Sequence, residues 1–521
     1  MRGLRPTRPA LLGLALAASL ALNACGSSGN GAGDAASPSP SAEPKTEASK
    51  QPEASKLEPY KITLFVPGVP QKDQALINEE ISKYLQTKIN ASLDMTVFDW
   101  GSWKDKMNLK FASNEAFDLM YTASWDGWTT KVQNGSVIPL DDLMKKYAQE
   151  AMAQLDPMVL EGIKFNGKTY GFPTNKEFAG NKGVLVRKDL VDKYKFDLGT
   201  VKKPEDLEPF FEVIKKNEPG MTPFLSGKDV GLDLVLMDNS FVGSGSVAKN
   251  LGLMDHDTKD LKVIDAYNDS RYMAILKLAR KWYTAGYINK DAPTLADFTG
   301  AYRSGKVFAY PESLKPGKDA EVSQATGLPW VQVEFTRPIV STSSTLGAML
   351  SVSRTSKDPA RAMMFLNLLH TDKKLVNMIA FGIEGKHYVK KDEQTIDYPS
   401  GVTSQTSGYA LGAAYMFGNQ FNNYLWANED PQKWDKFRKF NASAESAKSI
   451  GFNFDPEKVK NEISAYNNKV KEYLPGLITG AVDPEKYLPE MVKELKAAGM
   501  DAINAEVQRQ LDQWSAAVGK K

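Results

Sequence analysis

Residues 124–128, Ser-Trp-Asp-Gly-Trp, place two indoles around one carboxylate. A carboxylate accepts hydrogen bonds from two adjacent hydroxyls, and an indole stacks on the apolar face of a pyranose. The grouping of Trp125, Asp126 and Trp128 therefore suits non-covalent capture of a hydroxylated ring; the plain alternative is a solvated loop with one core tryptophan. Asp99 and Trp103 repeat the pairing of acid and indole. Asn419 and Gln420 carry amides that can donate to sugar hydroxyls or serve helix packing. Bond-breaking chemistry has less to work with. There are three histidines, His256, His370 and His387, and no His-Glu-x-x-His, Gly-x-Ser-x-Gly or paired-cysteine motif. That argues against a serine–histidine hydrolase. A glycoside hydrolase or lyase would need two carboxylates facing each other across a cleft, and Asp126 with Glu177 is the pair available for that rival reading.

Two further motifs fail. Gly300-Ala301-Tyr302-Arg303-Ser304-Gly305-Lys306 has the skeleton of a phosphate-binding loop, but Val307 stands where a magnesium-ligating Ser or Thr is required, and a helix precedes it. Asp255, Asp257 and Asp260 hint at a calcium loop, yet the turn glycine and the terminal glutamate are missing. A hairpin turn accounts for them better. No metal and no cofactor is expected.

The candidate residues need elements to hold them. Tyr60–Val66, Leu93–Phe98 and Phe117–Tyr121 read as strands, separated by helical spacing over Gln74–Lys88 and Trp103–Ala112. Alternation of this kind predicts an α/β fold with a mostly parallel sheet, whose ligands bind beyond the carboxyl ends of the strands. The loops at 67–73, 99–103 and 122–128 lie at those ends. Later strands are predicted at Val184–Val186, Lys306–Ala309 and Gly347–Val352. Helices are predicted at Pro204–Lys216, Tyr272–Tyr283 and Pro359–Leu369, then at Pro456–Tyr473, Pro484–Ala498 and Asp501–Ala517.

The amino terminus bears on location. Arg2, Arg5 and Arg8 precede an apolar run, Leu11–Leu22, too short for an ordinary membrane-spanning helix. Leu22-Asn23-Ala24-Cys25 follows, and Cys25 is the only cysteine. The arrangement resembles a bacterial lipobox, which implies a signal peptide over 1–24, lipidation of Cys25 and anchoring at the extracellular face of the cytoplasmic membrane; a plain signal peptide with an incidental cysteine is the alternative. Residues 25–56, rich in Gly, Ser, Ala and Pro, read as a disordered stalk. Lys plus Arg is 65 against 63 Asp plus Glu, which argues against a nucleic-acid partner. Nine tryptophans and twenty tyrosines favour a flat hydroxylated ligand.

Several segments together resemble the family 1 extracellular solute-binding proteins, the capture subunits of sugar-type ABC importers. The matching pieces are Phe117–Tyr121, Asn134–Leu143, Tyr170–Thr174, Val186–Leu190 with Lys203–Leu207, Trp282–Asn289 and Ser304–Val307. Downstream, Thr355–Asn367, Gly382–Tyr388, Phe417–Gln420 and Ala498–Asp501 look like the Gram-positive lipoprotein subgroup that carries a C-terminal domain of unknown function. The resemblance implies a type II periplasmic-binding-protein-like fold of two lobes and a hinge, with a helical C-terminal extension. Lobe one would be 57–178 plus 343–380, and lobe two 179–342 plus 381–521, with crossings near Pro173–Val184 and Thr336–Ser344. It implies a monomer that binds an oligosaccharide or related polyhydroxylated solute and docks on ABC permease subunits. By family position, Trp125, Asp126 and Trp128 fall at first-lobe sugar contacts and Tyr310 at a second-lobe aromatic platform. Lys176 and Glu177 follow the crossover, where a surface ion pair is the alternative. His387 and Glu384 fall near the cleft mouth, where a structural histidine is the alternative. A peptide-binding or sensor-coupled protein would use the same fold.

Overall fold

The computed structural model describes residues 54–235, 241–243 and 247–520. The signal segment, Cys25 and the stalk before Ala54 lie outside the described residues; Ala54–Lys56 forms a short 3-10 turn. Among the described residues no helix is long and apolar enough to cross a membrane.

Two hydrophobic cores form, each around its own sheet. The first sheet has the strand order Ala91–Phe98, Tyr60–Pro67, Leu119–Thr122, Met349–Val352, Phe172–Pro173. Ala91–Phe98 alternates buried and partly exposed side chains, as an edge strand should, whereas Leu119–Thr122 is buried throughout. The helix Gln74–Ile89 covers this sheet with Ile77, Ile81, Leu85 and Ile89, one stripe at four-residue spacing. The first three strands are parallel, but Met349–Val352 runs antiparallel to both of its neighbours. The expected mostly parallel sheet is thus a mixed one. Met349–Val352 enters from the opposite lobe instead of from a helical crossover within its own, so its direction reverses.

The second sheet is ordered Trp330–Glu334, Asn181–Arg187, Val307–Leu314, Thr222–Phe224, with antiparallel pairing except between the last two. Gly183 is required here: a Cβ on it would lie 2.0 Å from the Val333 carbonyl oxygen. Phe211, Phe224 and Trp282 interlock edge to face beneath the sheet. The C-terminal helices Lys460–Ile478, Pro484–Ala497 and Met500–Val518 add to this core, the last through Met500, Ile503, Val507 and Leu511.

The chain passes between the cores three times, and the third passage, which the expected lobe boundaries put near 380, lies near 445–451. Gly180 bridges Ile339, joining the first two crossings, and Glu445–Ser446 pairs in parallel with Ile339–Val340 as the third. Thr342 Oγ1 stitches the third crossing, donating to Ser449 O and accepting from Gly451 N. The third passage also alters the assignment of 381–521 to lobe two. Tyr409, Leu411, Met416, Phe417, Phe440 and Ile450 belong to the first core, and only from Phe452 onward does the chain join the second. Apolar side chains between 409 and 450 find the first core because the returning strand has not yet crossed.

Asn441, on the helix Lys433–Ser443, locks this returning segment to the first crossing. Its Oδ1 accepts from the backbone N–H groups of Phe178 and Ala179, and its Nδ2 donates to Lys176 O. Replacing Asn441 with Ala leaves two N–H groups and a carbonyl without their partner, so a loss of about 1–3 kcal/mol is expected in urea unfolding; an unchanged midpoint would show that the lock carries no stability.

Candidate functional site

Between the two cores lies a chamber of about 630 Å³. The first crossing supplies Lys176 and Glu177, the end of the strand Val307–Leu314 leads to Lys315, and the returning segment supplies Tyr398, Tyr415 and Trp426. Trp426 is stacked on Tyr398 with ring centroids 4.3 Å apart and meets Phe381 edge-on at 5.7 Å. It remains only partly buried, so the ring is fixed in orientation while part of it faces the chamber.

Three acceptor oxygens on residues of this wall, Glu177 Oε2, Gln420 Oε1 and Asn423 Oδ1, have no protein partner and lie beneath its surface. Each unmade bond of this kind costs desolvation energy. Glu177 is also the electrostatic centre of the chamber. Burial pushes its carboxyl up, but the ammonium groups of Lys176 at 3.0 Å and Lys315 at 3.5 Å outweigh this and hold it at about 2. Lys315 in turn lies 2.8 Å from Glu321; burial acts to lower its ammonium, and the two glutamates raise it well above the ordinary lysine range. Glu429 pairs with Lys433 on the far wall. The charged groups lining the chamber are three lysines and three glutamates, so the cavity is electrically balanced.

The residues singled out from the sequence are distributed differently from that expectation. Lys176 and Glu177 line the chamber and are no surface pair, with side chains 15% and 11% exposed. Gln420 lines it too, while Asn419 spends its amide on Gln154 Oε1 and its carbonyl on Phe421 N, within the first crossing's support. Trp125 is 59% exposed and sits away from this chamber, beside the second crossing. Asp126 faces inward: its carboxylate accepts from Trp103 Nε1 at 3.1 Å and pairs with Lys131 at 3.2 Å. Trp103 is thereby buried as a packing residue, and Asp99 caps the helix Trp100–Ala112 by accepting from Gly101 N. Trp128 is completely buried against Phe165, so it has no face to offer. Tyr310 is likewise fully buried, stacked on Tyr302 and edge-on to Trp330, because its side chain points into the second lobe's sheet–helix interface and not into the cleft. His387 is a structural residue: Nδ1 accepts from Ile383 N and Nε2 donates to Asp73. Glu384 pairs with Lys390 at the surface.

Asp126 is thus committed to its own lobe and does not face Glu177 as a second catalytic carboxylate would. Asp255 and Asp257 are engaged by Arg271 and Arg337. The residues that sequence reasoning missed are Tyr398, Tyr415, Trp426, Asn423 and Lys315. Tyr398, Tyr415, Asn423 and Trp426 lie in a stretch of short 3-10 turns and two- or three-residue strands, with no periodicity to mark a face. The only signal was the local density of aromatic and amide residues between 398 and 434.

Comparison with known proteins agrees with this architecture. A family model described as bacterial extracellular solute-binding protein matches residues 81–383, and one described as a domain of unknown function (DUF3502) matches residues 448–516. A carbohydrate ABC transporter substrate-binding protein of Streptococcus pneumoniae is 29% identical over 448 residues, covering 85% of this chain and 88% of its own. The crystal structure of the N-glycan transport solute binding protein NgtS of S. pneumoniae superimposes with a TM-score of 0.79 at 27% identity, over 88% of this chain and 99% of that one. Its complex with Man5GlcNAc superimposes with a TM-score of 0.67 at 26% identity, over 88% and 98%.

The charge arrangement makes a pH prediction. Glu177 is held below the ordinary glutamate value of 4.5, so its ion pairs stabilise the fold above that pH and lose this effect as pH falls toward about 2. Unfolding of the wild type and Glu177→Gln, compared between pH 7 and pH 2, should show a stability gap in favour of the wild type that closes over that window. A gap independent of pH would contradict the assignment.

Proposed function

The chain belongs to the bacterial extracellular solute-binding protein family, and on that premise we propose that it is the capture subunit of an ABC importer, binding an oligosaccharide in the Trp426 chamber and delivering it to membrane permease subunits. The observation that carries this reading is a fixed, partly exposed indole in a chamber walled by paired lysines and glutamates. The indole takes the apolar face of a pyranose, and the paired charged groups take its hydroxyls. The balanced charge of the wall favours a neutral ligand. The likeness to NgtS supports mannose- and N-acetylglucosamine-containing glycans as the class to test first.

The two cores are read as lobes that close over the ligand, with the three crossings as the hinge. The drop in TM-score from 0.79 to 0.67 on passing to the Man5GlcNAc complex of NgtS supports such a movement on capture. A catalytic role is not part of the proposal. Glu177 is committed to two lysines, and Asp126 is engaged elsewhere. Export through the segment 1–24 and lipidation of Cys25 would hold the protein at the outer face of the membrane, where two acyl chains suffice for anchoring.

Isothermal titration of the protein from residue 26 onward with Man1GlcNAc and Man5GlcNAc tests the ligand class. Binding is expected, with the glycan recovered intact by mass spectrometry, and Trp426→Ala should weaken it roughly tenfold, the ~1.4 kcal/mol of a lost stacking surface. Absence of binding would overturn the ligand class, and cleavage would overturn the transport reading. In a bacterial host that lipidates such proteins, Cys25→Ser should move the protein from the membrane fraction into the medium; retention on the membrane would show that the thiol is not the anchor.

A further inference from the structure

The third crossing runs into the region matched by the domain of unknown function, residues 448–516, and that region bonds to both lobes. Its three helices pack into the second core, and Phe452 and Phe454 anchor its leading segment there. The intervening Asn453 and the following Asp455 serve the other lobe. Asn453 Nδ2 donates to Lys164 O at 2.7 Å, and Asp455 Oδ1 accepts from Gln133 Nε2 at 2.5 Å. Both partners belong to the first lobe: Lys164 lies between Ile163 and Phe165, and Gln133 follows Val132, all three in the first core. The alternation gives this segment one face for each lobe. The final helix, Met500–Val518, holds the segment in place. Gln510 exchanges two hydrogen bonds of 2.8 Å with the backbone of Asp455, and Trp514 rests on Phe452 with ring centroids 5.7 Å apart. Asp455 therefore reaches the first lobe from a fixed position. The seam beside the two bonds is open: a groove of about 690 Å³ runs between Lys164 and Asn166 of the first lobe and Arg509 and Gln513 of the helix.

The position of these bonds gives them leverage. Ile339 is in the middle of the crossing band, paired with Gly180 on one side and with Glu445 on the other. The Glu177–Lys315 tie stands at the first crossing, whereas the Asn453 and Asp455 bonds follow the third. Ties at one edge of a hinge leave the lobes free to rotate about the band; ties at both edges fix the angle. We propose that the C-terminal region 448–516 is a brace that fixes the lobe angle at which the chamber forms, and so sets ligand affinity from outside the chamber. None of its residues lines that chamber. The consequence for affinity rests on the reading of the Trp426 chamber as the ligand site, while the angle is a property of the free protein. A ligand that needs this angle binds the population already in it. Loosening the brace lowers affinity by the factor by which that population falls.

Distances between spin labels on Lys145→Cys and Lys216→Cys test the brace in the protein from residue 26 onward, which has no other cysteine. Both sites are exposed, one on the first-lobe helix Asp141–Tyr147 and one on the second-lobe helix Glu208–Asn217. Without ligand, the labelled protein should give one narrow distance, and Gln133→Ala or Asp455→Ala should each shift or broaden it. Titration of the same variants with Man5GlcNAc should show affinity about fivefold weaker, the loss of one hydrogen bond. The double variant should be no weaker than either single one, since the same bond is lost in all three. An unchanged distance in the free variants overturns the brace, and so does weaker binding without a change in distance. A shifted distance with unchanged affinity overturns the control of binding. If the distances respond as expected but the wild type binds no glycan, the brace stands and the reading of the ligand falls.

Discussion

Everything in this molecule depends on how three stretches of backbone cross between two cores. A crossing segment must satisfy its own N–H and C=O groups where neither sheet can do it. Here the crossings satisfy one another: Gly180 exchanges bonds with Ile339, and Ile339–Val340 pairs with Glu445–Ser446. Side chains finish the task, with Thr336 accepting from Lys182 N and Asn441 bonding 176–179. The result is a narrow polar band flanked by two separate apolar masses. The chamber lies on that band, so the residues that line it belong to the crossings or to the lobe edges beside them.

Electrostatics in the cleft follow from the same geometry. Placing Glu177 in a buried position would be unfavourable by itself, and Lys176 alone would leave no compensation for Lys315. The arrangement works as a chain, Lys176–Glu177–Lys315–Glu321, running from the first crossing onto the second lobe. It therefore ties the lobes together while leaving one Glu177 oxygen without a protein donor.

The tryptophans show how one residue type is divided among different tasks. Trp128 and Trp282 fill cores; Trp103 and Trp434 pack while donating their indole N–H groups to Asp126 and to Asn423 O; Trp100, Trp125 and Trp426 keep ring surface available. Trp125 and Trp128 are three residues apart and have opposite fates. The 3-10 turn Ser124–Asp126 ends in Gly127 with positive φ, and the helix that follows turns Trp128 inward.

Much was legible in the sequence because it is written locally. Apolar spacing marked the strands Tyr60–Pro67 and Ala91–Phe98 and the C-terminal helices, and the order of short motifs marked the two-lobe class. Lys176 and Glu177 could be singled out because they follow directly on a recognisable crossover, and they line the chamber. Local pattern did not reveal which way a loop side chain points, which is why Trp128, Trp103 and Tyr310 were expected at a ligand and lie in cores. Nor could it place the third crossing, since Glu445–Ser446 is two residues long and acquires its meaning only from a partner more than a hundred residues earlier. The sequence by itself determined the elements and their class, because hydrophobic periodicity is a property of neighbouring residues. Tertiary structure alone decided the cleft, because its walls are drawn from segments near 177, 315, 398, 415 and 426 that no local rule relates, and only their packing brings them to one chamber.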